Sequence, residues 1–88
     1  MKARSGFILR NLVGEYVLMP VDDNIRSFSG SVLMNELSAF VWEKLRTPVT
    51  RDELLAEILD AYEVDAETAS ADLDQLLENL NRLGMIEP

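Results

Sequence analysis

Carboxylates are the residues best equipped for acid–base or metal chemistry in this 88-residue sequence, because it contains no histidine and no cysteine. That composition excludes a zinc finger, an iron–sulfur site, a thiol nucleophile and an imidazole-based triad. The closest carboxylate pairs are Asp22–Asp23, Asp52–Glu53 and Asp72–Asp74. Adjacent residues point different ways and i,i+2 residues on a helix do not face each other, so none of these pairs defines an acid–base couple or a metal cage. Gly6, Gly14, Gly30 and Gly84 are too scattered to form a phosphate-cradling loop. Ser70, in Ala69-Ser70-Ala71, lies inside a helical stretch rather than at a helix start in the Asp-Ser-Leu setting of a phosphopantetheine carrier. The chemistry left is recognition: a non-catalytic domain with no cofactor and no metal.

The elements that must position a recognition surface divide the chain into sheet first and helices after. Residues 7 to 34 are rich in strand formers broken by turn residues, whereas residues 35 to 83 carry helical periodicity. Phe7 to Leu12 and Tyr16 to Pro20 read as two strands of a hairpin joined around Gly14, and Pro20 ends the second because it has no amide hydrogen to donate. Asp22, Asp23 and Asn24 make a turn; Ile25 to Phe28 and Ser31 to Met34 form an irregular third strand interrupted at Ser29 and Gly30.

Asn35 caps a first helix whose broad apolar face holds Leu37, Phe40, Val41 and Leu45, widened by Ala39 and Trp42. Thr50 and Glu53 form a capping box at the second helix, with Val49 placed to staple onto Leu54. Leu54, Leu55, Ile58, Leu59 and Tyr62 continue its apolar stripe. A third helix runs from after Asp65 to about Leu83, lined by Ala69, Leu73, Leu76, Leu77, Leu80 and Leu83. Gly84 suits the left-handed residue that closes it, with Met85 folding back on Leu80. The expected fold is α+β and winged-helix-like: an N-terminal three-stranded antiparallel sheet followed by three helices, in one domain over residues 5–87.

The net charge of −8 is unevenly distributed. Residues 1 to 50 hold six basic and five acidic groups, whereas residues 51 to 88 hold two basic and eleven acidic groups. A winged helix commonly binds DNA, but Gln75, Asn79, Asn81 and Arg82 on the third helix stand among Asp65, Glu67, Asp72, Asp74 and Glu78. Such a field repels phosphate, so nucleic acid is not the expected partner. The longest apolar runs are four residues, far short of the ~20 of a membrane span, and no signal-peptide pattern is present, so the expectation is no membrane and a cytoplasmic location.

Peptide binding remains, on the two surfaces a small mixed domain offers: an open sheet edge and the flank of a long helix. The edge is placed at Ser31, Val32 and Leu33. Asp72, Gln75, Leu76, Asn79 and Leu83 form an i, i+3, i+4, i+7, i+11 row on the third helix, mixing apolar anchors with polar readers. Leu76 and Leu83 also belong to the apolar stripe, so core packing competes with this role. An open edge also pairs between copies, which makes a homodimer through the same strand a second use of it. A small structural or protein-interaction subunit is the blander alternative.

The segment Leu33-Met34-Asn35-Glu36-Leu37-Ser38-Ala39-Phe40-Val41-Trp42 resembles the Leu-Asn-Glu-Thr-Gly-Ala-Phe-Ile-Trp signature of the PqqD family, the pyrroloquinoline-quinone biosynthesis protein D and related recognition domains. Further resemblance lies in the opening strands, in Thr50 to Leu54, in Glu57 to Val64 and in Asp72 to Ile86 with its Leu-Gly-hydrophobic-Ile close, together spanning about residues 5 to 87. Met34, Leu37, Ser38 and Leu76 depart from the usual leucine, threonine, glycine and phenylalanine. The resemblance implies a chaperone that holds the leader of a ribosomally made precursor peptide and presents it to a modifying enzyme, often a radical S-adenosylmethionine enzyme. It implies that the leader adds beside the third strand and against the third helix, the surfaces at Ser31 to Leu33 and Asp72 to Leu83. The acidic excess after residue 50 adds the expectation of a basic leader.

Overall fold

The computed structural model describes residues 1–21 and 32–88. Its elements are β1 (Lys2–Ala3), β2 (Phe7–Leu12), β3 (Glu15–Pro20), β4 (Val32–Met34), α1 (Glu36–Lys44), α2 (Arg51–Ala61), α3 (Ala66–Arg82) and β5 (Ile86–Glu87). The expected turn at Asp22–Asn24, the extended piece Ile25–Phe28 and Ser31 of the proposed edge lie outside the described residues.

The fold is α+β, a three-stranded antiparallel sheet ordered β2-β3-β4 followed by three helices, consistent with a winged-helix-like topology. The β2–β3 hairpin pairs Leu12 with Glu15 across Val13 and Gly14, and both turn residues have positive φ, 52° and 84°. That is the signature of a two-residue type I′ turn, whose twist matches the strands it joins. Asn11 supports it by accepting a hydrogen bond from the Gly14 amide through its side-chain oxygen, at 3.2 Å. Pro20 closes β3 opposite Phe7, as its missing donor requires.

The helix starts are set by side chains that accept otherwise orphaned amide hydrogens. Asn35 Oδ1 accepts from the Ser38 amide at 2.8 Å, Thr50 and Glu53 complete the reciprocal box, and Asp65 Oδ1 accepts from the Thr68 amide at 2.9 Å. α3 ends in a Schellman motif. Gly84 sits at φ 74° while the Met85 amide donates to the Leu80 carbonyl and the Gly84 amide to the Asn81 carbonyl.

One inner face of the sheet and the three helices share the core, with Leu18, Val41, Leu45, Leu54, Ile58, Leu73, Leu80 and Met85 fully buried. Trp42 is buried in edge-to-face contact with Phe7, ring centres 6.2 Å apart. α2 is tied to its neighbours by charge. Lys44 of α1 pairs with Glu57 at 3.2 Å, and Arg51 grips Asp74 of α3 with both ends of its guanidinium, at 2.6 and 3.1 Å.

A second, two-stranded sheet with no place in the expected fold joins the two ends of the described chain. β1 pairs antiparallel with β5, Lys2 with Glu87 and Ala3 with Ile86. Residues 1–4 are fastened further: the Met1 ammonium donates to the Val49 carbonyl at 2.7 Å, and the Ala3 and Arg4 amides donate to the Leu45 and Met85 carbonyls. Two-residue strands carry too little periodicity to be read from sequence; their partners, not their composition, make them strands.

Candidate functional site

β4 ends the sheet order, so its outer margin has no strand beside it among the described residues. Val32 on that strand is half-buried, and Leu33 is 71% exposed. An unpaired strand margin leaves backbone N–H and C=O groups able to take a further strand. Met34, the next residue, turns inward and is buried, which fixes the alternation along the strand.

Below the end of β4 a cleft of about 300 Å³ opens between the start of α1 and the middle of α3. Asn35, Leu37 and Ser38 form one wall; Asp72, Gln75, Leu76 and Asn79 form the other. Four of the five helix residues named from sequence thus meet in one cleft. Leu76 is half-buried and packs against the core margin while also lining the cleft, so the two placements that the sequence put in competition are compatible. Leu83 does not line the cleft. It is the C-cap of α3, 43% exposed, just beyond the last helical turn.

The polar groups of the cleft differ in how far they are already used. Asn79 Oδ1 accepts from Arg82 at 2.9 Å, which fixes the amide and leaves its two N–H donors. Gln75 is exposed, with donor and acceptor both available, and Asp72 is an exposed carboxylate without an ion pair among the described residues. Leu37 and Leu76 supply apolar floor between them, a mixture suited to one apolar side chain plus peptide backbone.

A second cleft of about 610 Å³ adjoins the first at Asn35 and runs along Gly14, Glu15, Tyr16, Leu33, Met34 and Glu36. The negative charge beside β4 therefore comes from Glu15 and Glu36 of the first half of the chain together with Asp72. Much of the acidity after residue 50 points elsewhere or is spoken for. Asp74 is held by Arg51, which keeps its carboxyl below the usual carboxylate range, and Asp65 and Glu53 are lowered by the amide and hydroxyl hydrogen bonds of their helix caps.

The α1 wall was the part of the site missed from sequence. Asn35 and Leu37 were assigned to a cap and to the core, and both assignments hold, since Asn35 accepts its cap bond and Leu37 packs on the core cluster. Their place in the cleft wall depends on α3 crossing opposite them. The available signal was the pair Leu37-Ser38, where the chain departs from the signature that Asn35 and Glu36 follow.

An open strand margin over a mixed polar and apolar cleft defines a peptide-recognition domain of winged-helix-like fold. The chain belongs to the PqqD family: residues 15–86 match the family described as coenzyme PQQ synthesis protein D. PqqD-like domains are non-catalytic peptide-binding domains associated with the machinery that modifies ribosomally made peptides. Two solved structures share the fold. TbiB1 in complex with the TbiA(beta) leader peptide superposes with a TM-score of 0.76 at 21% identity, covering 99% of this chain and 95% of that one. A lasso peptide synthetase B1 complexed with the leader peptide gives a TM-score of 0.74 at 21% identity, covering 99% and 96%. No curated protein sequence matches the chain. No helix among the described residues is long and apolar enough to cross a membrane.

Proposed function

We propose that this domain binds the leader segment of a ribosomally made precursor peptide as an added strand on β4 and presents the rest of the precursor to a modifying enzyme. The observation that carries this reading is the coincidence of the unpaired β4 margin, with exposed Leu33, and the cleft lined by Asp72, Gln75, Leu76 and Asn79 directly beside it. Strand addition supplies affinity through main-chain hydrogen bonds, and alternate side chains of the peptide enter the cleft, which supplies specificity. Ser31, Val32 and Leu33 take the peptide backbone in this reading. Leu76 and Leu37 receive an apolar side chain, Gln75 and Asn79 read polar groups, and Leu83 flanks the far end. Support also comes from two proteins of the same fold, each in complex with a leader peptide.

The enzyme served is a radical S-adenosylmethionine enzyme or another modifying enzyme of such a pathway. The domain works by holding substrate at high effective concentration near it, without contributing a catalytic group. Glu15, Glu36 and Asp72 favour a leader carrying lysine or arginine next to its docking segment. The same acidity on and around α3 argues against nucleic acid as a partner.

The test is calorimetric titration with the leader of a precursor encoded beside this gene. Binding to the wild type and an affinity changed about tenfold by Asn79→Lys, with an unchanged far-ultraviolet spectrum, is the expected result. Equal affinity in both proteins removes Asn79 from the site, and no binding to either removes the proposal.

A further inference from the structure

α1 stands between two clefts. Leu37 and Ser38 line the one toward α3, whereas Glu36, Ala39, Phe40 and Glu43, at the i, i+3, i+4 and i+7 positions of another flank, line a separate cleft of about 420 Å³. Leu9 and Tyr16 wall it from the sheet, and Tyr62 closes it from the end of α2. Leu9 pairs with buried Leu18 and Tyr16 with buried Met34, so both point to the helix side of the sheet. Every residue lining this cleft is described, and Val21 and Val32, which flank the undescribed residues, are not among them.

Aromatic carbon and unpaired oxygen meet in this cleft. Phe40 and Tyr62 pack edge to face, ring centres 5.3 Å apart, and both are half-buried at the core margin with Leu9 and Tyr16. Three charged residues reach the walls, and two are already paired. Glu43 holds Arg46 at 2.9 Å, and Lys44 holds Glu57 at 3.2 Å while lying 5.3 Å from the centre of the Phe40 ring. Glu36 has no ion pair among the described residues, and the Tyr16 and Tyr62 hydroxyls make no hydrogen bond there. Burial, then the nearby Glu36 carboxylate and the Tyr16 phenol, raise the Tyr62 phenol above its ordinary range, which keeps it protonated in the field of that carboxylate.

An apolar side chain seated here would strip water from the Glu36 carboxylate and return no hydrogen bond, and an acidic one would meet it as a like charge. An arginine uses every part of the cleft. Its aliphatic stem lies on Leu9, Ala39 and Phe40, its planar guanidinium stacks on an aromatic ring, and its N–H fork donates to Glu36 and the phenol oxygens. We propose that this cleft seats an arginine side chain of the leader, outside the segment paired with β4. The inference rests on the leader-binding reading of the β4 margin. Continuity supports it: Tyr16 and Glu36 also line the cleft of about 610 Å³ beside Leu33 and Met34, so a chain continuing past the end of β4 passes around the start of α1 into the aromatic cleft.

A double-mutant cycle by calorimetry tests the proposal, with the full chain and a synthetic leader of the precursor encoded beside this gene. Each arginine of the leader is replaced singly by citrulline, which keeps the shape and removes the charge. One arginine outside the β4-paired segment should lose about tenfold in affinity on replacement with the wild type, and less than about twofold with Glu36→Gln or Tyr62→Leu, because both changes remove the same contact. Tyr62 lines neither of the other two clefts, and Glu36→Gln, at an exposed helix position, keeps the test if circular dichroism shows Tyr62→Leu unfolded. A leader that binds and responds to Asn79→Lys, yet has no arginine coupled to Glu36 and Tyr62, overturns the arginine seat and keeps the leader-binding reading. A binding leader that contains no arginine does the same. A leader that does not bind the wild type removes both.

Discussion

Val13 and Gly84 hold the same left-handed region of backbone, one with the wrong side chain and one with the right one. Val13 stands fully exposed at φ 52° in the hairpin turn, where a β-branched residue is strained. Val13→Asn keeps the turn and removes the strain, so urea unfolding should show a gain of about 0.5 to 1 kcal/mol. Gly84 at φ 74° has open space where a Cβ would stand, so Gly84→Ala meets no clash and loses only on backbone conformation. The expected loss is about 1 kcal/mol by the same measurement.

Asp74 provides a pH signature of the same kind. The hydrogen bonds from Arg51 lower its pKa in the folded chain, so the pair's contribution is complete above the unfolded value of about 4 and disappears as pH falls through the lower folded value. The stability difference between wild type and Asp74→Asn should be constant from about pH 7 to about pH 5 and shrink below about pH 4. A difference growing on acidification would contradict that assignment.

At the scale of elements, the parts legible in the sequence are those specified by local chemistry. Asn35, Thr50 and Asp65 each start a helix one residue on, and Gly84 ends α3, because a cap is a contact between residues three or four apart. The pairing of β1 with β5 was illegible because each is held by the other from the opposite end of the chain. The clamp from Arg51 to Asp74 and the Ser70 hydroxyl was equally hidden, joining residues 23 and 19 apart. It fixes how α3 lies against α2, and hence which α3 residues face the cleft. Arg51→Met should leave helix content unchanged while weakening leader binding through a residue that does not touch the cleft. Ile58→Ala, by contrast, opens a hole in the core and should cost about 2 to 5 kcal/mol.

For the whole molecule, the three-stranded sheet, the three helices and one flank of the candidate cleft were legible in the sequence, and the β1–β5 sheet was not. The row Asp72, Gln75, Leu76 and Asn79 was found because one helix carries it, and helical spacing places it on one flank. Asn35, Leu37 and Ser38 were missed as site residues because the angle at which α1 meets α3 is a property of the packed core. Charge was legible as a total and misleading as a location: the carboxylates beside β4 include Glu15 and Glu36, from the half of the chain that is nearly neutral. A basic leader should thus lose affinity on Glu15→Lys and Glu36→Lys, and on raising salt, with calorimetry as the readout.

The central claim is that β4 becomes an inner strand when a leader binds. Amide hydrogen exchange with and without the leader measures this directly, residue by residue. Outward-directed amide groups of Val32–Met34 should slow markedly on binding, together with protection along the Asp72–Asn79 flank of α3. A leader that binds while the β4 amides exchange at their free rate would contradict it.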